Sequence, residues 1–461
     1  MAISKSGFVI LPEDVQLQKA CSIVSALQSH GHTAFLVGGC VRDLILGKVP
    51  KDYDVCTSAT PEQVQTVYTH NYAVGESFGV IKVNIDGDIF DVTTYRSEKD
   101  YSDSRHPDIV KFETNPAEDV VRRDFTINGL LLLPNGFIID HVEGLVDIEN
   151  GIIRAIGDPS ERFTEDPLRV MRAVRFATQL GFTIETDTYA AVILAAPMLI
   201  KISMERRREE FRKILESPEP YVGIKMLEHS GILAYILPEL LKLKGVTQPA
   251  KYHRYDVDAH VYQMIAHAAK PMSFELAMAI LLHDIAKPNC KSVKPDGTIH
   301  FYNHEHVGKE MSLVIGKRLK LTNDECFLIG EFVHKHMRPH SVLEMKPATI
   351  KRLCRIPRFE EFLELHRLDC ICSNGNMETY NFLWKFYQEH KHEIEVTPLL
   401  TGYHLLALGF KPGPIYKKVL EAVETKQLNG ELTTPGQAID YVLALVCQYK
   451  AANDQFVVGN N

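Results

Sequence analysis

Asp52 and Asp54 stand two positions apart, shortly after the glycine pair Gly38-Gly39. In an extended chain alternate side chains share a face, so the two carboxylates lie together while Tyr53 and Val55 point the other way. Paired carboxylates repel and need a cation. Oxygen-only ligands suit Mg²⁺ carrying a nucleotide's phosphates. Phe35-Leu36-Val37 reads as a buried strand, and Cys40 to Leu46 as a short helix stopped by Gly47. Gly38-Gly39 between them lets the backbone turn sharply and approach a ligand. The helix start behind it offers free N–H groups and a favourable dipole to phosphate. This combination points to a phosphate-plus-metal site. The competing account is a solvent-facing edge strand with a turn before it.

Further residues fit such a site. Asp91 lies on a strand, Ile89 to Tyr95, and is either a third carboxylate on the metals or an exposed strand aspartate. Arg122-Arg123-Asp124 precedes an apolar run from Leu130 to Leu133. Asp166, Arg169, Arg172 and Arg175 recur every three residues, a slanted helical stripe with three arginines for one acid. Such a stripe suits a partner rich in acceptors, such as a nucleotide. The helix from Lys201 to Leu215 carries Arg206 and Arg207 among acids, so it is a salt-bridged structural helix or an RNA contact. Between about 250 and 375, His260, His283-Asp284 and Asp369 suit a divalent metal held between helices, with His304, His306, His334 and His336 nearby. Gly409 to Ile415, with Lys411, Lys417 and Lys418, is an RNA phosphate contact or a plain helix connection.

These residues need elements to hold them. A helix over 13–30 carries apolar positions near helical period. Thr60-Pro61-Glu62-Gln63 spells a capping box. Asp86-Gly87 predicts a type I′ hairpin turn, and Asn135-Gly136 and Asn150-Gly151 two more tight hairpins. Residues 96–118 read as a long charged loop. Near 155 the texture changes from strands to helices. The expected fold is α+β: a largely antiparallel, helix-flanked sheet over 1–155, then all-α segments over 156–250, 251–375 and 376–461. With 461 residues and a net charge of −8, the chain is not coated in nucleic acid, though one basic stripe suffices to grip RNA. No apolar run reaches membrane-spanning length and Met1 to Pro12 lacks signal-peptide features. Nine cysteines without a CxxC pair fit a reducing cytoplasm.

Val37-Gly38-Gly39-x-Val41-Arg42-Asp43 with Lys51-Asp52-Tyr53-Asp54 resembles the signature of the nucleotidyltransferase superfamily, in particular class II CCA-adding enzymes of bacterial type. Arg122 to Asn128 resembles that family's ribose- and triphosphate-contacting motif. Asp140 to Asp147, with Gly144, resembles its hinge, and Glu165-Asp166-x-x-Arg169 its nucleotide-selecting motif. The resemblance covers nearly the whole chain. His283-Asp284 and its partners resemble the HD hydrolase domain of some bacterial members. The resemblance implies template-independent CCA addition to tRNA from CTP and ATP. Mg²⁺ would sit on Asp52 and Asp54, with a second divalent metal in the HD-like region. Gly38, Gly39, Arg42, Arg123, Asp124, Arg172 and Arg175 would be nucleotide contacts.

Selectivity follows from hydrogen bonding. Cytosine and adenine each present a ring-nitrogen acceptor beside an amino donor; guanine and uracil present the reverse. Asp166 only accepts and Arg169 only donates. The pair fits C and A, and leaves buried charges unpaired against G and U at roughly 1–3 kcal/mol per mismatch. The charged loop 96–111 is the candidate for reorienting the pair between C and A. Three alternatives stand. An A-adding specialist shares these motifs. A bacterial poly(A) polymerase would carry a basic segment where this chain has Gly75-Glu76-Ser77-Phe78. An HD-type phosphohydrolase with a degenerate head conflicts with the intact Asp52/Asp54 pair.

Overall fold

The structure is a computed structural model that describes residues 3–4, 7–72, 79–99, 109–248, 255–395, 397–410 and 412–452. It divides into two compact units, Met1–Leu241 and Lys242–Asn461.

The first unit is built on a seven-stranded sheet. Its order is Ile138–Asp140, Leu130–Leu132, Ala34–Val37, Asp54–Thr57, Asp88–Thr94, Val80–Ile85, Asn71–Tyr72. Every neighbouring pair is antiparallel except one: Asp54–Thr57 and Asp88–Thr94 run parallel, with Val55 beside Val92. The α+β expectation therefore holds. The helix Val15–Ser29 begins at Asp14, whose carboxylate accepts from the Leu17 amide at 2.7 Å. It buries Leu17, Ala20, Ile23, Val24 and Leu27 and leaves Val15 exposed. The capping box at Thr60 and Gln63 is present. Asp86 and Gly87 both have positive φ, 51° and 92°, as a type I′ turn requires.

Two local expectations change. Asn150-Gly151 is not a hairpin turn: Asn150 ends the helix Gly144–Asn150 and Gly151 caps it at φ 66°. The pattern Asn-Gly serves both purposes, because both need a left-handed residue. The ends of the charged loop pair as antiparallel strands, Arg96–Lys99 with Ile109–Phe112; its centre, 100–108, lies outside the described residues, as do Gly75 to Phe78 and Lys411.

The second unit is helical apart from the hairpin Lys291–Val293 and Ile299–Phe301. Its helices include Val257–His267, Phe274–Leu282, buried at every position but Glu275, His304–Arg318, Asn323–Lys335 and Phe359–Cys372. Among the described residues no helix is long and apolar enough to cross a membrane.

Candidate functional site

Strand pairing assembles the acidic cluster. Val37 is paired with Asp54, so Gly38 leaves the sheet next to that carboxylate. Gly38 has φ 83° and ψ −140°, a conformation open to glycine. A Cβ there would sit 3.5 Å from Nη1 of Arg123 and 3.8 Å from Oδ2 of Asp54. Asp91 reaches the same place through the parallel neighbour strand, a pairing of distant segments that the sequence left conditional. Its Oδ1 accepts from Lys82 Nζ at 2.6 Å.

Asp54 is pushed up to about 6. Enclosure by protein is the main cause, then the charge of Asp52; Arg123 opposes, and Asp91 adds to the rise. Its side chain still reaches solvent, so enclosure here is partial. Arg123 is shared with Asp119, whose Oδ2 accepts from it at 2.9 Å, and Lys82 is committed to Asp91. The carboxylates are thus short of positive charge, and all their donors are oxygens, which fits a hard divalent cation. Nε of Arg123 is buried and makes no hydrogen bond, an unused donor beside the glycine turn that fits an incoming phosphate oxygen.

Asp119 was missed by sequence reasoning. It is fully buried and holds both Arg122, at 2.6 Å, and Arg123. Its spacing of three and four residues before the arginine pair on one helical turn is the signal that was available.

Arg42 is buried. It donates to Asn128 Oδ1 at 2.7 Å and, through Nε and Nη2, to Asp43 at 2.9 and 2.7 Å. Asn128 in turn donates to Asp124, which also takes Arg172 at 2.7 Å. Burial would raise Asp124, but Arg172 and Asn128 outweigh it and hold it at about 2. Arg42, Arg172 and Arg175 surround the Phe176 ring at 5.1, 5.4 and 4.0 Å.

The arginine stripe is not short of acids. Arg169 pairs with Glu165 at 2.8 Å, Arg172 with Asp124 and Arg175 with Glu210 at 2.6 Å. Glu165 stands four residues before Arg169, but Asp124 and Glu210 come from distant elements, so spacing along one helix could not reveal those two. Asp166 and Arg169 are each held separately. Asp166 Oδ1 accepts from the Leu168 amide at 3.1 Å and Oδ2 from Arg206 at 2.8 Å, while Arg169 also donates to the carbonyls of Arg162 and Arg122. Arg207 donates to the Tyr235 carbonyl at 2.7 Å. Lys417 is exposed on the helix Pro414–Leu428.

In the second unit the four expected residues come together. His260 Nε2 lies 3.3 Å from Asp369, and His283 Nε2 3.2 Å from Asp284. His304, His336 and Lys287 join Asp284 at 3.4, 3.8 and 2.6 Å. His340 and His366, not anticipated, form a further group with Asp369; His366 precedes Asp369 by one helical turn, which was legible. His283 Nε2 and Asp284 Oδ1 are buried without a well-angled hydrogen bond. Mixed imidazole and carboxylate donors of this kind fit a divalent transition metal.

Comparison with known proteins follows the same division. Residues 34–154 match the family described as the poly A polymerase head domain, and 181–243 that described as a probable RNA and SrmB-binding site of polymerase A. The chain is 44% identical over 221 residues to the CCA-adding enzyme of Lactiplantibacillus plantarum, covering 48% of this chain and 54% of that one. It is 42% identical over 219 residues to that of Geobacillus thermodenitrificans, again 48% and 54%. The chain thus spans about half the length of the curated relatives it matches. A solved CCA-adding enzyme of Bacillus stearothermophilus in complex with CTP superposes with a TM-score of 0.70 at 26% identity, covering 95% of this chain and 100% of that one. A Thermotoga maritima CCA-adding enzyme complexed with tRNA shares the fold, with a TM-score of 0.59 at 20% identity over 94% and 96%.

Proposed function

We propose that the chain adds C, C and A to the 3′ end of tRNA from CTP and ATP, without a template and with release of pyrophosphate; the match of residues 34–154 to the family described as the poly A polymerase head domain supports this reading. The observation that carries the proposal is the convergence of Asp52, Asp54 and Asp91 with Gly38 and Arg123, where Asp54 is pushed up to about 6. The solved relative that binds CTP supports the choice of nucleotide.

Asp52 and Asp54, with Asp91 beside them, would hold Mg²⁺, which when bound supplies charge neutralisation for the attacking hydroxyl and the α-phosphate. Gly38-Gly39 brings the backbone close enough for its amides to meet phosphate. Arg123 donates its free Nε–H to the triphosphate and is aimed by Asp119. Asp124 and Arg172, locked together by their 2.7 Å bond, form a rigid floor near the sugar. Asp166 and Arg169 read the base. Arg206 and Arg207, with Lys411 and Lys417 at the far end of the chain, are the proposed RNA contacts. The head is residues 1–155, followed by helical segments 156–250, 251–375 and 376–461. Free thiols throughout the described side chains suit a reducing cytoplasm.

The test is incorporation of labelled CTP and ATP onto tRNA lacking its last three nucleotides and onto tRNA ending in CC. Two C followed by one A is expected. Extension of the CC-ended tRNA alone, by one A, makes the chain an A-adding specialist. A long A tail on unrelated RNA makes it a poly(A) polymerase.

A second activity is favoured by His260, His283, Asp284 and Asp369: a divalent metal there would support phosphohydrolase chemistry on phosphomonoesters, with Lys287 as the cation beside the centre. Asp284→Ala should abolish phosphatase activity and spare nucleotide addition.

A further inference from the structure

Phe176 lies where three parts of the first unit's site meet. The ring is buried, and the guanidinium carbons of Arg42, Arg172 and Arg175 stand 5.1, 5.4 and 4.0 Å from its centroid. Arg42 comes from the helix Gly39–Ile45 behind the glycine turn, and a Cβ on Gly39 would lie 3.5 Å from its Nη2. Arg172 locks Asp124. Arg175 ties down Glu210 of the helix Met204–Leu215, the helix whose Arg206 fixes Asp166. Phe125, next to Asp124 in the chain, meets the Phe176 ring edge to face at 5.8 Å and 81°.

Three cations gathered around one side chain repel each other in a medium that screens poorly. Each has an acid of its own: Asp43 for Arg42, Asp124 for Arg172 and Glu210 for Arg175. Burial holds Arg175 below the ordinary arginine range; Glu210 opposes this and the charge of Arg172 adds to it. An aliphatic residue at 176 would fill the space and leave the cations as they are. The face of a phenyl ring carries partial negative charge and attracts them. It also takes no N–H from them. Their hydrogen bonds remain with Asp43, Asn128, Asp124 and Glu210.

From this geometry we infer that Phe176 is a positioning residue for the nucleotide: its π face gathers Arg42, Arg172 and Arg175 and so fixes the span between the phosphate turn, the Asp124 floor and the base-reading helix. The inference rests on the reading of this unit as a nucleotidyltransferase site and deepens it. A nucleotide is gripped at phosphate, sugar and base together. Loosening the span therefore weakens every nucleotide alike. Choice among bases belongs to Asp166 and Arg169 and stays as it was. A grip that holds ground state and transition state equally shows in KM and not in kcat.

The experiment places monofluoro-, difluoro- and pentafluorophenylalanine at position 176 of the full chain. Ring fluorines change shape little and drain the face of negative charge step by step, which a packing role would not feel. Calorimetry gives Kd for CTP and for ATP with Mg²⁺ and without tRNA; transfer onto truncated tRNA gives KM and kcat. Kd and KM should rise with each fluorine, by about tenfold at five, with kcat and the preference for CTP over UTP unchanged. Phe176→Leu should match the pentafluoro variant. Values that stay flat across the series overturn the inference while the transferase reading stands. A fall in kcat alone, or an altered preference for CTP over UTP, also overturns it. Graded loss of binding in a chain that transfers neither C nor A overturns the transferase reading and leaves the role of the ring. No nucleotide binding by the parent chain overturns both. Thermal melts check folding, and the monofluoro and difluoro variants carry the gradient where the pentafluoro variant does not fold.

Discussion

Asp54 bears a charge that the fold opposes. Its folded value of about 6 exceeds the ordinary 3.8, so the ionised form costs stability. That cost is complete above pH 6 and is relieved as pH falls from 6 toward 4. In chelator, thermal stability of the first unit should therefore rise as pH falls through this window. Asp54→Asn should remove the dependence and, near pH 7, stabilise the metal-free protein by about 1 kcal/mol, discounted for its solvent-facing side, a Tm rise of about 2–4 °C. Nucleotide addition by the same variant should fall about 10³-fold. A melt that moves down instead would mean that Asp54 has a cation partner in the free protein. Arg206 makes a second test at this scale. It fixes Oδ2 of Asp166, the oxygen left over after the Leu168 amide takes Oδ1. Arg206→Ala should free the carboxylate, raise KM for CTP and ATP about tenfold, and narrow the preference for CTP over UTP; Arg206→Lys should restore part of it. Equal losses in kcat for all four nucleotides would make Arg206 purely structural.

At the scale of elements, glycines separate function from folding. Gly38 occupies a backbone region closed to other residues, yet a Cβ there meets nothing nearer than 3.5 Å. Gly38→Ala should cost about 1–3 kcal/mol of strain and lose most of its activity, because the turn presents the backbone to phosphate. Gly144 is different: a Cβ would sit 2.3 Å from the Thr126 carbonyl oxygen, which cannot move away without breaking the Asp124–Asn128 segment. Gly144→Ala should be the more destabilising of the two in urea melts. Much of this was legible. Gly-Gly between a strand and a helix, the capping box at Thr60 and the hairpin at Asp86-Gly87 all follow from local rules. What was not legible depended on pairing between distant segments. Asp91 joined Asp54 through a parallel strand pair, and Glu210 and Asp124 joined the arginine stripe from other elements. The sequence pattern names which residues share a face of one element; it does not name what that face meets.

At the scale of the molecule, the two compact units carry two chemically distinct sets of donor atoms, proposed above as metal ligands: oxygen-only around Asp54, and imidazole with carboxylate around Asp284. A ligand that binds the folded state alone stabilises it by about 2.7 kcal/mol at a hundredfold excess over its dissociation constant. Imidazole-rich sites prefer Fe²⁺, Ni²⁺ and Zn²⁺, whereas Mg²⁺ prefers oxygen. Scanning calorimetry of the full chain should therefore resolve two transitions with different metal responses. Mg²⁺ with nucleotide should raise one of them, and Asp52→Asn should cancel that rise. Ni²⁺ at concentrations too low to fill the head should raise the other, and Asp284→Asn should cancel that one alone. If Asp284→Asn also removed the Mg²⁺ response, the two sets would be coupled rather than independent. If neither variant changed its own transition, the ligand assignments in both units would be wrong, whatever the activity assays returned.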